Sequence, residues 1–214
     1  VYGPDNRLRT LSRPIGRMHI RFPSGAFMTC TGVVVGDDLV MTNYHCIPGD
    51  GRYGRVTEAV LVMGHYRSND AGAARTYRLD LDVVASDLDL DYVLLRARGE
   101  PGTDWGVAEM LPRAPRPAEP LLLIHHPGGQ PKHVTRRNCL TASPDLTAGD
   151  DLLHQCDTLP GSSGAPIISW DDGNVIGLHY AGVHNPAPSQ SNYGKLLTAI
   201  VDHAGDALPL DPAV

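Results

Sequence analysis

The sequence predicts an all-β fold of short antiparallel strands, with one helix near its end. The chain of 214 residues is 42% hydrophobic and 20% charged, which is ordinary for a globular domain. Its 23 glycines and 18 prolines indicate many turns. Runs rich in Val, Ile, Leu and Tyr recur between these turns, a pattern typical of an antiparallel barrel or sandwich.

The strand-like runs follow one another along most of the chain. In order they read RMHIRF, CTGVVVG, LVMTNYH, AVLVMGHY, TYRLDLDVVAS, DYVLLRA, EPLLLIHH, APIISW and NVIGLHYAG. Turn-forming residues lie between several of them, for example at 36–38 and 171–174. A helix is predicted only at about 195–204, where four aliphatic side chains recur at helical spacing.

A proline-rich segment divides the chain into parts of similar size. Residues 99–120 contain five prolines, a density that favours an extended connector over a strand or helix. We therefore expect two units, residues 1–110 and 111–214. No internal repeat of fixed period links them.

Charge and hydropathy exclude several classes of partner. The net charge of −6 and the pI near 5.9 argue against binding to nucleic acid or to an anionic membrane surface. No apolar stretch approaches the roughly 18 residues that span a bilayer. We expect a monomer. Because the chain begins with Val1, we also expect either that a signal or pro-segment has been removed or that this is an excised domain.

Four cysteines lie far apart, without a C-x-x-C pair, so two disulfides are a better interpretation than a zinc site. Of the three possible pairings we favour Cys30 with Cys46 and Cys139 with Cys156, because each pair brackets a plausible hairpin or loop. Disulfides imply an oxidising compartment, and hence a secreted or otherwise extracytoplasmic protein.

The stretch CDTLPGSSGAP raises the possibility of a serine nucleophile at Ser163. A serine hydroxyl needs a base to take its proton and an acid to orient that base. The best base is His45, which ends an apolar strand beside a cysteine, and the best acid is Asp91, directly before another apolar strand. The backbone N–H groups of Gly161 and Ser163 are candidate oxyanion donors, since glycine there allows the required turn.

Plainer interpretations exist for several of these residues. Ser163 could belong to an ordinary turn, and Asp87 or Asp89 could be mistaken for the catalytic acid, although strand alternation favours Asp91. His125 and His126 could suggest a metal, but neighbours on a strand point to opposite faces, so we expect a structural use and no metal. Five histidines without a partner pattern are expected at the surface: His65, His133, His154, His184 and His203.

The order His, Asp, Ser along the chain matches chymotrypsin-like enzymes and differs from the subtilisin and α/β-hydrolase orders. Ala165 also breaks the hydrolase G-x-S-x-G elbow. Five segments then resemble a chymotrypsin-fold serine endopeptidase, nearest to the bacterial glutamyl and lysyl endopeptidase branch. They are CTGVVVGDDLVMTNYHC, LDYVLLRA, HHPGGQPK, CDTLPGSSGAPI and NVIGLHYAG, between about residues 25 and 182.

This resemblance implies two antiparallel six-stranded barrels with the catalytic residues in the cleft between them. The barrel of residues 1–110 would carry the His and Asp, and that of residues 111–214 the Ser, the specificity pocket and the helix. Ser162 departs from the digestive members, which have an Asp there to receive a new N-terminus. Activation through that ion pair is therefore not expected.

Two interpretations of the specificity pocket compete. If Asp157 forms its floor, the enzyme would prefer Arg or Lys. Thr158 and His179 instead match the glutamyl endopeptidase pocket, where a His and a hydroxyl bind a carboxylate, and Val1 would suit that branch. We slightly favour Glu. The segment Tyr180 to Gly182 would pair with the substrate backbone as an edge strand.

The expected function is hydrolysis of peptide bonds through an acyl-enzyme, with a protein or peptide substrate and no cofactor. Two alternatives stay open at this point. One is a catalytically silent, protease-like binding module, since fold does not fix function. The other is an effector protease domain of a larger intracellular protein.

Overall fold

The structure is a computed structural model that describes residues 6–47, 54–68, 74–142, 145–182, 191–208 and 210. The proposed role of Val1 lies outside the described residues. Two antiparallel sheets of seven strands each form the fold. Within the described residues, no helix has the length and apolar character needed to cross a membrane.

The first sheet has the strand order β5-β4-β1-β2-β3-β7-β6. Its strands are β1 Ile15–Arg21, β2 Phe27–Val34, β3 Leu39–Thr42, β4 Glu58–Met63, β5 Arg75–Leu79, β6 Ala85–Asp87 and β7 Tyr92–Arg96. The Arg98 N–H donates to the Arg78 carbonyl, and the Asp80 N–H to that of Arg96, at 2.8 and 2.9 Å. These bonds link β5 to the end of β7, so the sheet curls towards a barrel.

The second sheet has the order β10-β11-β14-β13-β12-β8-β9. Its strands are β8 Leu121–His125, β9 His133–Thr135, β10 Thr147–Ala148, β11 Asp151–His154, β12 Pro166–Ser169, β13 Val175–Ala181 and β14 Asn192–Leu196. The Leu121 N–H bonds the Cys139 carbonyl and the Gln155 N–H bonds that of Leu140. The chain after β9 thus joins β8 to β11 and curls this sheet as well.

Strand β8 shows why some strands read as continuous apolar runs. Leu121 and Leu123 pack into a core inside the second sheet, whereas Leu122 and Ile124 pack into a core shared by both sheets. All four are buried, because both faces of the strand are covered. The shared core also includes residues of β1, β2 and β7, so it holds the two sheets together.

The predicted all-β fold with a C-terminal helix is confirmed, with small corrections. Each sheet has seven strands where six were expected, because two very short strands add to the count. The run TYRLDLDVVAS was expected as one strand, but it bends at residues 81–84 and forms β5 and β6. The C-terminal helix begins at Leu197, since residues 195 and 196 belong to β14.

Two short helices were not predicted. Helix α1 spans Arg7–Ser12 and helix α2 spans Pro101–Trp105, while α3 is the C-terminal helix Leu197–Ala204. Helix α2 lies inside the proline-rich segment, so that segment is not extended throughout. Pro101 stands in the first turn of the helix, where its missing N–H costs nothing.

The connector between the sheets hydrogen-bonds to both of them. The Ala108 N–H donates to the Val34 carbonyl at 2.9 Å, and the Val175 N–H donates to the Glu109 carbonyl at 2.8 Å. All strands of the first sheet precede this connector and all strands of the second follow it. We therefore retain the division at residue 110 as a proposal.

The predicted presence of disulfides is confirmed, and their pairs are Cys30 with Cys46 and Cys139 with Cys156. The first joins β2 to the 3-10 turn Tyr44–Cys46, which carries His45. The second joins the chain after β9 to the residue that precedes Asp157. Each disulfide therefore anchors one side of the region where the candidate catalytic residues lie.

A buried carboxylate, Glu119, holds the end of the connector. Its side chain is fully buried and accepts hydrogen bonds from Arg113, Arg116 and Ser169. Burial alone would raise the pKa of this carboxyl, but the bonds from Arg113 and Arg116 outweigh it and lower the pKa to about 2. The ionised form of Glu119 is therefore part of the folded structure.

We expect Glu119→Gln to lower the free energy of unfolding by about 3 kcal/mol, because it removes the buried anion that pairs with Arg113 and Arg116 and leaves part of their hydrogen bonding unmatched. The measurement is urea unfolding at neutral pH. Asp38→Asn, which removes the exposed partner of Arg96, is the matched control and should cost less than about 1 kcal/mol. Equal losses in the two variants would contradict a structural role for the buried carboxylate.

Candidate active site

His45 and Asp91 lie against each other, just after the end of strand β3 and just before the start of strand β7. An Asp91 carboxylate oxygen lies 2.7 Å from His45 Nδ1, and the other accepts the backbone N–H of His45 at 3.0 Å. The Asn43 side chain also donates to the Asp91 carbonyl at 2.8 Å. Since a carboxylate accepts, Nδ1 carries the proton and Nε2 is left as the basic nitrogen.

The two competing carboxylates are placed elsewhere. Asp87 accepts the Leu90 N–H at 2.8 Å and lies 3.4 Å from His203, on the side of helix α3. Asp89 is exposed. Of the three candidate acids, the structure brings only Asp91 to His45.

The serine loop, residues 157–165, is seated on strand β2 of the first sheet. The Ser163 carbonyl accepts the Thr31 N–H at 2.8 Å. Gly164 has φ of +83°, and a Cβ there would lie 2.1 Å from the Thr31 carbonyl oxygen, so only glycine fits this approach. Thr31 follows Cys30, whose disulfide partner follows His45. Ser163 is therefore held beside the turn that carries His45.

Cys30, His45 and Cys46 place their side-chain ligand atoms within 4.8 Å of one another. Both sulfurs are joined in a disulfide and cannot act as thiolate ligands. This cluster is therefore a disulfide that fixes the turn carrying His45, rather than a metal centre.

The turn before Ser163 leaves two backbone donors free. The N–H groups of Ser162, Gly164 and Ala165 donate to the carbonyls of Leu159, His179 and Ser162. Among the described residues, the N–H groups of Gly161 and Ser163 donate to no acceptor. Gly161 has φ of +96°, and a Cβ there would lie 2.7 Å from the His126 carbonyl. These two N–H groups are the donors that the predicted oxyanion hole would use.

The profile of the trypsin-like peptidase domain matches residues 30–178, the part of the chain that contains His45, Asp91 and Ser163. The chain belongs to this family. A curated relative, secreted RxLR effector protein 73 of Plasmopara viticola, is 26% identical over 192 residues, which are 84% of this chain and 47% of the effector. The trypsin-like domain described here thus spans about half the length of that relative.

Solved structures that resemble this fold include serine proteases. A serine endoprotease from Yersinia pestis superposes with a TM-score of 0.74 at 16% identity, over 97% of this chain and 68% of its own. A protease from M. tuberculosis in its active form gives 0.71 at 17% identity, over 98% and 87%. At these identities the likeness concerns the fold, which is chymotrypsin-like. The glutamyl or lysyl branch stays a prediction.

Ser162 fixes the serine loop of this trypsin-like domain through a buried hydrogen-bond chain. Its hydroxyl is fully buried, accepts the Leu159 N–H at 3.1 Å and lies 2.7 Å from His125 Nδ1. His125 Nε2 lies 3.1 Å from the Thr135 hydroxyl, which donates to the Asp157 carbonyl. The proton therefore sits on Nε2 of His125, and Ser162 donates to Nδ1.

The hydrogen-bond chain that joins Ser162, His125 and Thr135 contains no charged group at neutral pH, because burial lowers the pKa of His125 to about 4. Ser162 stands where digestive relatives would have an Asp, and it is bonded to His125 instead. Sequence reasoning assigned neither residue a role beyond local structure. No pattern could have paired them, since they are 37 positions apart on different elements.

His154 was expected at the surface, and this was wrong: it is fully buried behind His179. The Cys156 N–H donates to His154 Nδ1, and His154 Nε2 lies 3.1 Å from His179 Nδ1. The proton of His179 must then sit on Nε2. Burial lowers the pKa of His154 to about 3 and that of His179 well below its usual value, although a hydrogen bond to the Tyr193 backbone opposes the latter shift.

The other predicted substrate-binding residues surround this pair. Thr158 is half-buried, accepts the Asn192 amide at 3.3 Å, and would lie 2.5 Å from a Cβ added at Gly182. Asp157 is exposed. Tyr180 donates to Asp151 at 3.1 Å. Strand β13 continues past the point where β12 ends, so residues 180–182 have a backbone edge without a neighbouring described strand on that side.

We expect Ser162→Ala to slow labelling of Ser163 by a fluorophosphonate about tenfold and to lower the free energy of unfolding by about 2 kcal/mol. It leaves His125 Nδ1 and the Leu159 N–H buried without partners. Ser12→Ala is the control, because Ser12 belongs to helix α1 and carries a buried hydroxyl that donates to the Arg9 carbonyl rather than to the serine loop. It should lose stability without slower labelling. Equal labelling of both variants would contradict a positioning role.

We expect the free energy of unfolding to fall as pH drops from about 6.5 towards 4. The unfolded chain binds protons on histidine near pH 6.5, while the buried His125, His126, His154 and His179 stay neutral in the folded state. Each such group adds a slope of about 1.4 kcal/mol per pH unit. Urea unfolding at several pH values measures it.

In the same series, His154→Gln should make this slope shallower, whereas His133→Gln, at an exposed residue, should not. A stability that does not change between pH 7.5 and 5.5 would show that these histidines are not held neutral.

Proposed function

We propose that this chain is a serine endopeptidase that hydrolyses peptide bonds through an acyl-enzyme. Ser163 is the nucleophile, His45 the general base and then acid, and Asp91 orients the imidazole. The observation that carries the proposal is that the Asp91 carboxylate accepts hydrogen bonds from both the ring Nδ1–H and the backbone N–H of His45. These two bonds fix the tautomer in which Nε2 is the basic nitrogen.

The reaction proceeds in two similar halves. Ser163 Oγ attacks the carbonyl carbon while its proton moves to His45 Nε2, and the N–H groups of Gly161 and Ser163 bind the resulting oxyanion. The intermediate collapses, and the leaving amine takes the proton from His45, which leaves an ester on Ser163. Water then attacks the ester, gives its proton to His45, and releases the acid and the free serine.

The two alternatives are less well supported. A silent binding module would have no need of a histidine held in one tautomer or of two free donors in the serine loop. We propose that the domain acts outside the cytoplasm. Two disulfides favour an oxidising compartment, and the similar effector of Plasmopara viticola is described as secreted.

For the residue before the cut we propose Glu over Arg or Lys. An acid that selects cations should lie at the floor of a pocket, and Asp157 is exposed. In contrast, Thr158 and the Nε2–H of His179 are donors that a carboxylate can accept from. A carboxylate is a stronger acceptor than the Tyr193 carbonyl that now interacts with the ring.

The test is digestion of a proteome-derived peptide library, with the residue before each cut identified by mass spectrometry. We expect cuts after Glu from the wild type and at least about a thousandfold fewer from Ser163→Ala. Thr158→Val should lower kcat/KM for Glu peptides about tenfold, since it removes one hydroxyl partner of the carboxylate. Asp157→Asn is the matched control and should leave it unchanged.

Cuts after Arg or Lys that become fewer in the Asp157→Asn variant would show that the Asp157 carboxylate determines specificity. They would contradict the Glu preference. Absence of cuts from the wild type, together with no fluorophosphonate labelling of Ser163, would contradict the peptidase itself.

A further inference from the structure

A groove lined by basic side chains lies apart from the candidate active site. It is a cavity of about 880 Å³ between helix α1, the chain around β9 and Trp170. Along β9 the side chains alternate, so Val134 and Arg136 line this groove while Thr135 contacts His125 on the other side. The basic groove and the serine loop therefore flank the same strand from opposite faces.

The charges of the basic groove are all of one sign. Among the residues that the structure describes, five cationic side chains and no carboxylate line it: Arg7, Arg9, Arg67, Lys132 and Arg136. None of the five forms an ion pair with a described residue, whereas eight other basic residues of the chain do. In a chain of net charge −6, this is a local reversal of the overall charge.

Aromatic rings and a carbonyl, rather than anions, hold several of these cations in place. The guanidinium groups of Arg7 and Arg136 lie 5.1 and 5.2 Å from the ring centroid of Trp170. The Lys132 ammonium lies 4.7 Å from the Tyr66 ring and donates to the Ser12 carbonyl. Contacts with ring faces orient a cation without using up its hydrogen-bond donors.

No carboxylate of the described residues pairs with Lys132. Burial lowers the pKa of its ammonium to about 7, against an ordinary value near 10.5. A carboxylate brought next to this group would favour its charged form, and the same attraction would favour binding of the carboxylate. An acidic ligand would thus supply the negative charge that the described residues do not place next to Lys132.

We propose that the basic groove binds an acidic segment of a polypeptide, with Asp or Glu side chains against the arginines and apolar side chains against Trp170 and Val134. A short acidic segment fits a local cationic cavity. A long polyanion such as nucleic acid would also meet the acidic surface of the rest of the chain. This binding does not depend on the proposed peptidase activity.

The test uses the full chain carrying Ser163→Ala, so that the probe is not cleaved. A fluorescein-labelled peptide of alternating Glu and Leu is titrated and its anisotropy measured, with the Gln-for-Glu peptide as the neutral probe. We expect saturable binding of the acidic peptide alone. Adding Arg7→Gln and Arg136→Gln should weaken it about tenfold, and added salt should weaken it further.

The matched control is Arg55→Gln with Arg137→Gln, which removes two exposed charges that do not line the groove. It should change the affinity less than twofold. The double variant Arg7→Gln, Arg136→Gln could unfold because it loses the contacts with Trp170. In that case Arg9→Gln with Arg67→Gln removes two groove charges outside those contacts and should weaken binding likewise.

Three results would overturn the proposal. One is an equal loss of affinity for the acidic peptide in the groove variants and the control variants, which would mean that only the overall charge of the protein matters. Another is equal binding of the neutral peptide. The third is tighter binding of a single-stranded oligonucleotide that depends on Arg7 and Arg136, which would assign the groove to nucleic acid.

Discussion

The contact between the serine loop and strand β2 is the constraint on which the candidate site depends. His45 and Asp91 belong to the first sheet and Ser163 to the second, so the geometry of the site is set by how the sheets meet. The Ser163 carbonyl bonds the Thr31 N–H directly, and Gly164 lets the two backbones touch. A side chain at residue 164 would push the serine loop away from strand β2, next to which the turn carrying His45 is fixed by a disulfide.

Behind this contact, the second sheet is fixed by neutral polar groups. His125, His154 and His179 each lie buried, and each keeps one fixed tautomer because its neighbours are hydrogen-bonded in a defined direction. Neutral imidazoles avoid the desolvation cost of buried ions, so the serine loop is held without a buried ion pair. The cost is sensitivity to acid, because these rings cannot accept a proton where they lie.

The sequence was informative where the signal is local. The apolar strand that follows Asp91, the cysteine beside His45 and the glycines around Ser163 are all visible within a few residues, and helix α3 is visible from its spacing. What could not be predicted involves partners distant in the chain. The burial of His154 depends on β11, β13 and β14 pairing around it, and the short helix α1 lacks the length for a periodic pattern.

Arginine has two opposite uses in this chain, and the difference explains why net charge is a poor guide to local binding. Around Glu119, Arg113 and Arg116 are neutralised by carboxylates, and their charge stabilises the fold. In the basic groove, Arg7 and Arg136 lie against an aromatic ring, and neither forms an ion pair within the described part of the chain. Composition counts these residues equally. Only the structure shows which cations have no acidic partner among the described residues, and such a group of cations favours recognition of an acidic partner.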